Sequence, residues 1–192
     1  MKRLGPGLAA AVVVAVAVTL VALTLRAPEA PPTFTPTAPA PKEAGRALVG
    51  PVLYTVNATA ADTWQHFSFQ LGSVVDVPAD LAFRRYAIVA GAGAGIADLG
   101  EVDFDQVRTV PTSGYHANEG HADPRNPAIA AWYRYGFFSH VLSPKPRVWA
   151  VRTADGRYAK LEMVGYYCPG SVPGCPTFRY VYQGDGSTSV AP

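Results

Sequence analysis

Cysteine and methionine are scarce in this chain, with two of each in 192 residues, and the scarcity removes several chemistries. Cys168 and Cys175 lack the C-x-x-C spacing of a thiolate metal site. Neither looks like a nucleophile, and no cysteine follows the N-terminal apolar run, so acylation at a processing site is excluded. An excess of one charge sign is missing too. From Lys42 onward thirteen Lys and Arg stand against thirteen Asp and Glu, and apart from Arg84-Arg85 the basic residues are scattered singly. Nucleic acid is thus not an expected partner, since its binders concentrate basic groups on one face.

Several motifs are absent as well. Gly91, Gly93 and Gly95 fail the G-x-G-x-x-G nucleotide fingerprint and read as a loop after a strand. Ser139 and His140 adjoin, but no G-x-S-x-G elbow surrounds them, and neighbours on a strand point to opposite faces. Glu101, Asp103 and Asp105 alternate with Val102 and Phe104, which predicts a solvated strand face rather than a calcium loop. No enzyme is expected.

What is present begins with Lys2 and Arg3, followed by an apolar run over residues 8–25 that carries no charge. About 18 helical residues rise roughly 27 Å, close to the thickness of bilayer hydrocarbon. Residues 1–26 therefore read as a transmembrane anchor or a removable signal segment, and either exports the rest, because the basic end stays inside. The expected location is the exported side of the cell envelope, tethered or secreted. Residues 27–44 form a Pro/Ala/Thr-rich linker with six prolines between 28 and 41. With few large apolar groups, this linker predicts an extended stalk reaching up to roughly 50 Å.

Residues 45–186 read as the folded domain and 187–192 as a tail. Strands are expected over 47–56, 64–71 and 81–90, the last mostly apolar and so central. Val148 to Arg152 and Tyr158 to Val164 bracket Thr153-Ala154-Asp155-Gly156, the composition of a hairpin turn. Thr177 to Tyr182 supplies a third antiparallel strand. Residues 128–133 have no decidable period. Many short strands with Gly and Pro turns need a facing sheet, so the fold class is mainly β, a two-layer antiparallel sandwich on an aromatic core. Cys168 and Cys175 flank a turn-rich insert between strands, and in an exported domain they predict a disulfide worth roughly 2–3 kcal/mol. Asn57-Ala58-Thr59 matches a glycosylation sequon but reads as a polar turn.

Two blocks resemble one family. The first is His140-Val141-Leu142, Pro144-Lys145 and Val148-Trp149-Ala150-Val151-Arg152-Thr153-Ala154-Asp155-Gly156-Arg157-Tyr158-Ala159-Lys160-Leu161, with Tyr166-Tyr167 and Phe178-Arg179-Tyr180 following. The second is Asp80-Leu81-Ala82-Phe83-Arg84-Arg85. Together they resemble the HmuY family of bacterial haem-binding envelope proteins, in outline over residues 57–182. The resemblance implies the HmuY-type β domain, with haem held between two axial side chains drawn from residues after the second block. It also implies delivery to an outer-membrane haem receptor.

Imidazole binds iron without needing a charge, which makes His116, His121 and His140 the candidate axial ligands. Met163 is the one methionine beyond position 1, and Tyr115, Tyr133 and Tyr135 could flank a porphyrin. His66, beside Trp64 on an early strand, reads as packed or surface. Two alternatives stay open. His116 and His121, with Glu119 and Asp123 in the same loop, could bind a divalent metal through nitrogen and oxygen. Ala79, standing where family members usually carry tryptophan, fits an envelope interaction domain that keeps the fold without haem.

Overall fold

The computed structural model describes residues 6–24, 30–42 and 45–191, in two units, Met1–Ala30 and Pro31–Pro192. The first unit holds helix α1 (Pro6–Thr24), whose 19 residues rise about 28 Å at 1.5 Å each. Judged on the described side chains alone, no helix is long and apolar enough to cross a membrane. Lys2, Arg3 and residues 25–29 lie outside the described residues.

The second unit is two antiparallel sheets around an aromatic core. One sheet has five strands: β1 (Leu48–Thr55), β6 (Gly95–Gly100), β9 (Val148–Arg152), β10 (Tyr158–Cys168) and β11 (Val172–Gln183), in the order β1-β11-β10-β9-β6. The other has four: β2 (Gln65–Ser68), β3 (Ser73–Val75), β4 (Leu81–Arg84) and β5 (Ala87–Ala90), in the order β3-β2-β4-β5. A separate hairpin pairs β7 (Tyr133–Tyr135) with β8 (Leu142–Pro144). Phe67 of β2 and Phe69 in the turn just after it meet Phe178 and Tyr180 of the large sheet edge to face, at centroid distances of 5.1 and 5.3 Å. Such geometry adds about 0.5–1.5 kcal/mol per pair beyond the area buried.

The large sheet is buried on both faces. Trp149 and Val151 of β9 join the inter-sheet core, while Val148 and Ala150 join a second cluster with Phe104, Val110, Tyr158, Val181 and Val190. Because successive residues of a strand point to opposite faces, four consecutive buried residues in β9 require apolar cover on both sides. Segment 100–115 and the C-terminus supply that cover. Val190 is fully buried, its N–H donates to Arg108 O at 2.8 Å, and Val110 N–H donates to Thr188 O. Residues 187–191 are therefore part of the fold rather than a free tail.

Three further expectations change. The run 81–90 is a tight hairpin rather than one strand, with Arg84 opposite Ala87 and Arg85 left-handed at φ 55°. Residues 101–105 form no strand. Phe104 is buried in a short 3-10 turn, and Asp103 caps it by accepting Asp105 N–H at 2.9 Å. Nor does the proline-rich segment stand away as a free stalk, since residues 31–42 lie on the domain. Phe34 N–H donates to Tyr167 O at 2.7 Å, Thr37 N–H to Thr55 O, Ala40 N–H to Ser73 Oγ and Lys42 N–H to Leu71 O. The Phe34 ring fills the place a side chain on Gly165 would take, at an irregularity in β10. One aromatic ring and four donors suffice to fix a segment whose prolines have already removed much of its unfolded freedom. Residues 128–131 are turns that bury Ile129, with Trp132 buried just after them.

Candidate functional site

The β7–β8 hairpin, the β4–β5 turn and the far end of β10 enclose a cleft of about 520 Å³, within the range usual for small-molecule sites. Tyr86 comes from the turn, Tyr133, Tyr135, His140 and Leu142 from the hairpin, and Tyr166 and Tyr167 from β10. Pro173, at the start of β11 and within the span that the Cys168–Cys175 disulfide ties, closes it, so the expected disulfide is present and holds one wall. Each wall is braced. Trp132 Nε1 donates to Tyr86 O at 2.9 Å, and Leu142 N–H donates to the Tyr167 hydroxyl at 2.9 Å. Tyr86 and Tyr133 meet edge to face at 5.8 Å.

Arg85 fixes the turn. Its N–H donates to Ala58 O and its Nη1 to Thr59 O and Pro173 O, at 3.0, 2.9 and 3.2 Å. Those bonds offset a left-handed backbone that a non-glycine residue seldom adopts.

His140 is placed by a similar device. Gly136 N–H donates to Val141 O and His140 N–H to Gly136 O, which closes the hairpin loop and leaves His140 left-handed at φ 54°. Its Nδ1 hydrogen-bonds the Tyr135 hydroxyl, so Nε2 is the nitrogen left for a metal. For Nε2 to ligate, Nδ1 must carry the ring proton and donate it, and a phenol oxygen can accept it. Burial raises the pKa of Tyr133 and of Tyr166, and neighbouring phenols add to the rise. Both phenols are therefore harder to ionise than an ordinary tyrosine, and they offer the cleft flat faces and hydroxyls.

The structure separates the three candidate histidines. His116 is not among the cleft residues: its N–H and C=O pair with Ile96 at the outer edge of the five-stranded sheet. His121 is exposed in the following loop and does not line the cleft. Only His140 of the three reaches it. The same loop does not assemble the alternative metal site. Among the described residues no three His, Cys, Asp or Glu gather to hold a metal, and Asp123 is engaged by Arg84. Met163 is buried in the core and Tyr115 lies away from the cleft, its hydroxyl on Pro111 O. Sequence reasoning missed Tyr86, whose one signal was its place beside Arg84-Arg85.

A family model described as HmuY protein matches residues 60–180. No curated protein matches the chain. Among solved structures, an apo HmuY analog from Tannerella forsythia superposes with a TM-score of 0.63 at 15% identity, covering 73% of this chain and 98% of its own. A candidate HmuY-like haem-binding protein from Bacteroides vulgatus gives 0.60 at 18% identity, covering 68% and 91%. A candidate lipoprotein from Bacteroides fragilis gives 0.55 at 18%, covering 68% and 88%. At such identities the likeness is one of fold.

Proposed function

We propose, from the premise that this chain belongs to the HmuY protein family, that it captures haem on the exported side of the cell envelope. The carrying observation is a cleft walled by five tyrosines that contains one imidazole, His140. A porphyrin is a flat apolar disc, and aromatic faces bury it while excluding water. The Bacteroides vulgatus neighbour, named for haem binding, supports the same ligand class. His140 is the axial ligand through Nε2, with Tyr135 holding its other nitrogen. Since His140 is the single histidine lining the cleft, the bound haem takes one protein ligand, not the two axial side chains the family resemblance implies. The disulfide suits an oxidising compartment, and the apolar N-terminal segment serves as anchor or export signal. Delivery to an outer-membrane receptor is the transfer this capture would serve.

Hemin titrated into the full chain is expected to give a Soret shift saturating at one equivalent, with a five-coordinate, high-spin spectrum. His140→Ala should abolish the iron signature, whereas His116→Ala and His121→Ala leave it intact. No Soret change at stoichiometric hemin would remove the function and leave only the fold.

A further inference from the structure

A second hollow adjoins the tyrosine cleft, and Tyr86 lines both. It encloses about 300 Å³, and its charged lining is Arg84, Arg85 and Arg125 against Asp123 alone. Three guanidinium groups face one carboxylate, an excess of two positive charges in a chain that is otherwise near balance.

The three arginines differ in how they are held. Arg84 pairs with Asp123 and lies over the Trp64 ring, 4.5 Å from its centroid. Arg85 is fixed by two backbone carbonyls, which orient its guanidinium without neutralising it. Arg125 is exposed and joins none of the ion pairs among the described residues. Its backbone is nonetheless set, exchanging N–H···O bonds with Glu119 at 2.8 and 2.9 Å. The charges also reach into the cleft, because Arg125 lowers the pKa of Tyr133 and Arg85 that of Tyr166, against the upward push of burial.

A tetrapyrrole such as haem carries two carboxylates on one edge of an apolar ring. An apolar cleft alone would bind the ring in any rotation. A doubly positive hollow on one side of Tyr86 selects the rotation that turns the acidic edge toward it. We propose that the arginine hollow is the carboxylate subsite of the tyrosine cleft, with Arg125 as its main free donor and Arg85 beside it. The inference rests on the haem reading and adds to it a ligand requirement: an anionic edge matching two positive charges. Guanidinium suits the role, as its planar fork meets a carboxylate with two parallel N–H···O bonds.

The test compares hemin with hemin dimethyl ester, which has the same iron and ring but no free carboxylate, on the full chain and on Arg125→Gln. Hemin should bind about tenfold or more tightly than the diester, in line with charge-assisted hydrogen bonds. Arg125→Gln should shrink that preference by weakening hemin while leaving the diester unchanged. Raising the salt should weaken hemin alone. Equal affinity for the two compounds in the unmodified chain, or an Arg125→Gln chain that weakens both alike, overturns the subsite while the haem reading stands. Binding of neither compound overturns both.

Discussion

Asp80, the first residue of the Asp-Leu-Ala-Phe-Arg block, makes the fold depend on pH in a direction opposite to that of most carboxylates. Its Oδ2 accepts Phe69 N–H at 2.8 Å, its N–H donates to Phe67 O, and its C=O accepts Gly91 N–H. Burial raises its pKa from 3.8 to about 6. The Phe69 amide pulls the other way, Asp155 adds to the rise and Arg157 subtracts from it. In the unfolded chain the carboxyl ionises near its ordinary value, so between about pH 4 and 6 the folded state holds the extra proton. The stability this supplies is complete below pH 4 and is lost as pH rises through 6. Two pH units at about 1.4 kcal/mol each give roughly 3 kcal/mol. Contact with water at the partly exposed carboxyl reduces that to about 1–3 kcal/mol. Asp80→Asn keeps the acceptor for Phe69 and removes the charge. Urea unfolding followed by tryptophan fluorescence should find the two chains similar at pH 4 and the variant more stable by about 1–3 kcal/mol at pH 7. Other titrating groups cancel in that difference. A difference that does not change with pH, or an Asn variant less stable than the unmodified chain at pH 7, would refute the assigned burial of a charge-averse carboxyl.

Gly165→Ala places a methyl where the Phe34 ring sits, so it should detach residues 31–42 and destabilise the domain by about 1–3 kcal/mol. In a Phe34→Ala background the same change should be nearly neutral, and a double-mutant cycle by chemical unfolding measures the coupling, expected at about 1 kcal/mol or more. Lys160 is fully buried, its Nζ donating to Phe104 O and Val107 O at 2.8 and 2.7 Å above the Phe104 ring. Lys160→Met leaves two carbonyls without their donor and should lower stability by about 2 kcal/mol, with faster amide exchange around 104–107 as the local readout.

What could be read from the residues, and what could not, divides along sequence distance. The hairpin of β9 and β10 was legible because its turn and both alternating arms lie within 25 residues, and Gly156 takes the positive φ its turn requires. The β4–β5 turn was not legible, since Arg85 and Tyr86 are not turn formers. Its left-handed residue is held by partners at Ala58, Thr59 and Pro173, which no local pattern announces. The proline-rich segment was misread for the same reason: without periodicity it signals no pairing, and Gly165, which receives Phe34, lies over 100 residues away.

The site follows this rule most strongly. His116, His121 and His140 were all candidates as sequence, His140 in the family block and the other two in a polar loop, and tertiary placement sends His116 to a sheet edge and His140 to the cleft. Tyr133 and Tyr135 were visible, with Tyr115, as rings to flank a porphyrin, but Tyr86 and Tyr166 reach the cleft only because the β4–β5 turn and the end of β10 meet there. A cleft assembled from a turn, a hairpin and a disulfide-tied strand end can change its ligand groups without disturbing either sheet. The family's two sequence blocks, lying largely within those sheets, therefore identify the architecture. The chemistry has to be read from what the loops bring to Tyr86: an imidazole on one side and a doubly positive hollow on the other.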